Sequence, residues 1–116
     1  MKRGEFSQKE RELIKQIENE FELFKYKMLS KTNLEIYENC SKICFYCCIY
    51  EYFIYAEDFK AEHIQACLKS DNVIADLYAI YTKYEYLRYD RWEDINELLD
   101  MLVKKSHIFN AIGTNA

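Results

Sequence analysis

The chain contains no proline, and its 2 glycines, Gly4 and Gly113, stand near its two ends. Everything between them must turn without left-handed or ring-locked backbone geometry. Long helices joined by short polar links are the economical solution. Half of the residues are apolar, and 11 Tyr and 7 Phe are too many aromatic rings for a chain that stays uncollapsed. A length of 116 residues fits one domain around a single core.

The helix signals are local and repeated. Ser7-Gln8-Lys9-Glu10 is an S-x-x-E capping box, and Leu13, Ile14, Ile17, Phe21, Phe24 and Met28 follow at three- and four-residue steps. Thr32-Asn33-Leu34-Glu35 opens a second helix in the same way. Its run ICFYCCIYEYFIYA is charged only at Glu51, which predicts the most buried helix. That run is too short, too rich in tyrosine and too interrupted to cross a membrane, for which ~20 apolar residues are needed. Asp58 is a candidate cap for a third helix, Ser70-Asp71-Asn72 a polar break and next cap, and Asp90-Arg91-Trp92-Glu93 a D-x-x-E start. No strand alternation and no internal repeat is visible. The expected fold is all-α, a compact bundle of four to five helices over 7–31, 33–56, 59–69, 72–88 and 91–108, with 109–116 as a frayed tail.

The segment CSKICFYCC spaces Cys40, Cys44 and Cys47 as C-x3-C-x2-C, the spacing that holds an iron–sulfur cluster in radical-SAM enzymes. Such cysteines converge from a loop, and this stretch lacks turn formers. Steps of three and four also place Cys40, Cys44, Cys47 and Cys48 on one helix face, so small core residues are the favoured reading. A minor alternative is a zinc site of Cys44, Cys47, His63 and Cys67, which needs two helices side by side. No other cofactor is expected. His63 and His107 have no neighbouring nucleophile in a recognisable setting, and no phosphate-binding loop exists. The chain is therefore read as a non-enzyme.

Charge is uneven. Residues 1–50 carry 9 basic and 8 acidic groups, a net +1, whereas residues 51–100 carry 5 basic and 12 acidic groups, a net −7. That balance argues against direct contact with nucleic acid and suits a basic protein partner. Asp90, Glu93, Asp94, Glu97 and Asp100 recur at helical spacing roughly opposite Ile95, Leu99 and Leu102. They are the candidate acidic binding face, although acids early in a helix, with Lys104, Lys105 and His107 late, also complement the helix dipole. Tyr86, Tyr89, Arg91 and Trp92 are the candidate anchors, being of the residue types that dominate binding hot spots. The N-terminal MKRGEFSQKERE has no apolar signal-peptide core, and an odd, clustered set of 5 Cys does not look like a disulfide framework. A reducing cytoplasm is the expected compartment.

The segments LEIYENCSKICF and LKSDNVIADLYAIYTKYE, at 34–45 and 68–85, resemble a family of small uncharacterised helical proteins from phages and mobile elements of Firmicutes. The resemblance implies a long first helix, an E-I-Y-E start to the second, a final acidic helix and no catalytic residues. By association it also implies a setting in which such proteins inhibit host defences, anti-CRISPR proteins among them. The expected partner is then a protein, a CRISPR effector nuclease in the most specific form, met in the host bacterial cytosol. A homodimeric assembly module remains the alternative class.

Overall fold

The computed structural model of the protein describes residues 7–115, with side chains over 7–106. Six helices follow one another: α1 (Gln8–Leu29), α2 (Asn33–Glu38), α3 (Cys40–Tyr55), α4 (Ala61–Leu68), α5 (Val73–Lys83) and α6 (Trp92–Asn115). No strand occurs among the described residues. The all-α class therefore holds, with six helices in place of four to five. Helices α3, α4 and α5 each pack against both α1 and α6, forming a middle layer between those two. No described helix is long and apolar enough to cross a membrane.

Both capping boxes form as expected. The Ser7 hydroxyl accepts from the Glu10 amide while the Glu10 carboxylate accepts from the Ser7 amide, and Thr32 and Glu35 repeat the exchange. Asn72 caps α5 by accepting from the Ala75 amide. The helix expected over 33–56 is instead divided at Asn39. Its side-chain Nδ2 donates to the Glu35 carbonyl at 2.8 Å, and its backbone leaves the helical well (φ −99°, ψ 11°). An asparagine competing for the backbone in this way bends a helix that the apolar pattern would continue.

Three other boundaries move. Asp58 does not cap the third expected helix; α4 begins at Ala61 behind Lys60, with no side-chain cap bond. Helix α5 ends at Lys83 rather than near 88, because the chain turns extended at Tyr84 and sinks Leu87 into the core. Helix α6 runs to Asn115, so 109–115 is helical and Lys104 and Lys105 lie inside it rather than in its last turn.

The core draws side chains from α1, α3, α4, α5 and α6, and its aromatic part gathers around one residue of α3. Phe45 is fully buried, with the rings of Tyr78, Tyr81 and Tyr89 at centroid distances of 5.2, 5.1 and 5.1 Å. On the α1 side, Phe21 stacks on Tyr50 at 4.3 Å and Phe24 on Tyr46 at 3.9 Å, using the apolar face read from the sequence.

Glu20 is buried on that face. Its carboxylate accepts from the amides of Val73 and Ile74, both at 2.9 Å, and from Gln16 Nε2 at 2.9 Å. Gln16 also donates to the Ser70 carbonyl at 2.9 Å. A charged group from α1 thus satisfies two of the open amides at the start of α5 and complements the helix dipole there.

Candidate functional site

The loop after α5 and the first turns of α6 carry most of the candidate binding residues, and the structure sorts them. Asp90 faces solvent beside Arg88, whose Nε lies 3.3 Å from Oδ1; that hydrogen bond holds the Asp90 carboxyl below its ordinary range. Glu93 is exposed, with Arg91 Nη1 at 3.2 Å. Asp94 is buried and receives the Arg91 Nε hydrogen bond at 3.2 Å, so it does not belong to an outward acidic face. Glu97 is exposed. Asp100 is half exposed, and its Oδ1 lies 2.7 Å from His63 Nε2 on α4. The five acids therefore do not form one free stripe; Glu93 and Glu97 remain outward on α6.

The anchors divide in the same way. Tyr86 and Trp92 present 69% and 50% of their surface to solvent. Arg91 is exposed while bridging Glu93 and Asp94. Tyr89 is a packing ring, half buried against Phe45 and edge-on to Tyr81 at 5.1 Å, and burial pushes its hydroxyl above the ordinary tyrosine range.

Trp92 belongs to a group that sequence reasoning missed. A depression of about 440 Å³ is lined by Tyr52, Tyr55, Ala56, Glu57, Asp58, Trp92 and Asn96. The Tyr52 ring meets Trp92 edge to face at 5.9 Å. The Tyr52 hydroxyl donates to Asn96 Oδ1 at 3.1 Å, and Asn96 Nδ2 donates to the Trp92 carbonyl at 3.1 Å. Asn96 is thereby fixed from two sides, and it holds the end of α3 to the start of α6. Tyr52 is almost wholly buried, and burial, with Cys67 and Asp100 adding smaller contributions, pushes its hydroxyl up to about 12. Tyr55 is 64% exposed beside it. Nothing local in the sequence links Tyr52 to Asn96, because they meet only through the packing of α3 on α6.

The cysteines do not mark the centre of the core. Cys40 and Cys44 are exposed, Cys47 and Cys48 half buried, and only Cys67 is fully buried. Burial pushes the thiols of Cys47, Cys48 and Cys67 above their ordinary range. The larger side chains on the opposite face of α3, among them Phe45, Ile49 and Phe53, take the buried side because they remove more apolar area from water. Cys44, Cys47, His63 and Cys67 are not brought together as a metal site. His63 turns to Asp100 instead, and ligand atoms of Glu62, His63 and Asp100 lie within 4.8 Å of one another.

No protein-family model matches the chain, and no curated protein or solved structure matches it either.

Proposed function

We propose that the protein is a non-enzymatic binding protein that seats a basic partner where α3 ends and α6 begins. The observation that carries this is the Tyr52–Tyr55–Trp92 depression with Glu57 and Asp58 among its lining residues. The exposed faces of Tyr55 and Trp92, beside these carboxylates, suit a lysine or arginine side chain. A cation over such a ring gains ~0.5–2 kcal/mol, and the exposed Glu57 carboxylate adds a charge-assisted hydrogen bond. Trp and Tyr are also the side chains on which binding energy concentrates.

In its most specific form the partner is a CRISPR effector nuclease, and the chain is a mobile-element inhibitor of the anti-CRISPR type working in the host bacterial cytosol. Glu93 and Glu97 then stand in for phosphates on a basic groove, with Tyr86, Arg91 and Trp92 packing beside them. The net −7 of residues 51–100 and the resemblance at 34–45 and 68–85 favour this form. Its test is plasmid interference in a bacterium with an active effector. Wild-type protein should restore transformation. A Tyr55→Ala/Trp92→Ala pair and a Glu93→Arg/Glu97→Arg pair should each reduce that protection at least tenfold without changing the helical circular-dichroism spectrum. Full protection by both variants, or none by the wild type, sinks the proposal.

A homodimer is favoured by a different observation. Leu23, Tyr26, Leu29, Leu34 and Tyr37 are 63–75% exposed at the corner where α1 leads into α2. Apolar side chains concentrated in this way suit an isologous contact with a second copy. Light scattering across a concentration series decides it, and a strict monomer at the highest concentration removes it.

A further inference from the structure

His63 is 2% exposed and clamped between α4 and α6, yet its ring is only half satisfied. Nε2 faces Asp100, while buried Nδ1 has no hydrogen-bond partner. Glu20 and Asp94, also buried, are by contrast matched by backbone amides and by Arg91. We infer that Glu62, His63 and Asp100 form a binding site for a divalent first-row transition ion such as zinc, clipping α4 to α6.

The donor set is one imidazole nitrogen and two carboxylate oxygens, which suits zinc and its neighbours rather than calcium or a thiol-seeking ion. The ligand atoms already lie within 4.8 Å of one another. Ligand bonds of about 2.0–2.2 Å need donors a little over 3 Å apart. The exposed Glu62 side chain has only to swing inward, and the His63–Asp100 pair, at 2.7 Å, to part by less than ~1 Å. Among the described residues neither carboxylate pairs with a lysine or arginine. A dication there meets two carboxylates and one imidazole. Glu62 and Asp100 face solvent, leaving positions for water or for a partner's side chain.

The buried nitrogen does not oppose this. Nδ1 has no hydrogen-bond partner as the ring stands against Asp100, and an ion held by Nε2 leaves it in the same position, so the ion is not charged with a new burial cost.

The test uses the full chain, chelator-treated and kept reduced, titrated calorimetrically with zinc chloride and followed by absorption with cobalt chloride. One ion should bind per chain. Glu62→Gln and Asp100→Asn should each weaken affinity at least tenfold while keeping the wild-type circular-dichroism spectrum. His63→Gln should abolish binding, but because that ring is buried, the two carboxylate variants carry the decision. Cobalt should give visible ligand-field bands without intense thiolate charge transfer. Absence of stoichiometric binding, unchanged affinity in both carboxylate variants, or thiolate charge transfer showing that the cysteines hold the ion would each overturn the site.

Discussion

Replacing Glu20 by glutamine tests whether α5 depends on a charge supplied from α1. The carboxylate accepts from two backbone amides, at 2.9 Å each, with both oxygens engaged. Glutamine keeps the shape but offers one carbonyl oxygen; its amino group would then face an N–H. One charge-assisted bond is lost outright, at about 1.5–3 kcal/mol, and a buried amide is left without a partner. The helix dipole also loses its complement, worth up to ~2 kcal/mol in a buried setting. These overlap, so about 3 kcal/mol is expected rather than their sum. At ~4 °C per kcal/mol the melting temperature should fall by roughly 12 °C. Urea denaturation monitored by far-ultraviolet circular dichroism should show a lower midpoint with an unchanged slope. Glu18→Gln, on the exposed side of the same helix, should change stability by less than ~0.5 kcal/mol. If Glu20→Gln costs no more than that control, long-range capping of α5 is refuted.

Phe45→Ala removes the ring on which Tyr78, Tyr81 and Tyr89 converge, and should cost about 3–5 kcal/mol in the same urea assay. A loss below ~1 kcal/mol would mean that the surrounding rings collapse into the space. Thiol titration with a disulfide reagent should resolve Cys40 and Cys44 as fast, Cys47 and Cys48 as slower, and Cys67 as silent until denaturant is added. Five equal rates would contradict the burial order. Alkali should weaken the fold in a defined sense. Tyr52 ionises at about 12 when folded against 10.0 for the free side chain, and Cys67 is raised above 9.0. Unfolded chains therefore lose these protons first. The stabilisation is complete below pH ~9 and drains away as pH rises through the folded values. The urea midpoint should decline from pH ~9 upward, less steeply in Tyr52→Phe, and a flat profile to pH ~11 would contradict it.

What the sequence made legible was local. The exchanges between Ser7 and Glu10 and between Thr32 and Glu35 span three residues, so their chemistry is written in adjacent letters. The apolar face of α1 was equally plain. The faces of α3 were not, because cysteine and tyrosine are apolar enough to satisfy the period on either side. Only packing decided that Phe45 and Ile49 would be buried and that Cys40 and Cys44 would face solvent. The acidic residues of α6 failed for a related reason. Spacing placed Asp94 and Glu97 in one polar stripe, but Asp94 lies at the edge where the helix meets its neighbours and has Arg91 three residues before it. The His63–Asp100 pair and the Tyr52–Asn96 bond join residues 37 and 44 positions apart, and no pattern in the chain announces either. The end of α5 was hidden too, since the loop is held by buried Leu87 rather than by a turn residue.

The backbone of the described residues has no positive φ angle and no cis peptide. No turn in that region therefore imposes a demand that only glycine meets. The caps at Ser7, Thr32 and Asn72 restrict their positions, but each admits several short polar side chains. In evolutionary terms, the polar joints at 30–32 and 69–72 are freer to drift than the link between α5 and α6, which buried Leu87 ties to the core. Descendants that keep the described helices would then share little at those polar joints, their common ancestry surviving in buried sets such as Phe45, Ile74, Leu77, Leu87 and Leu98.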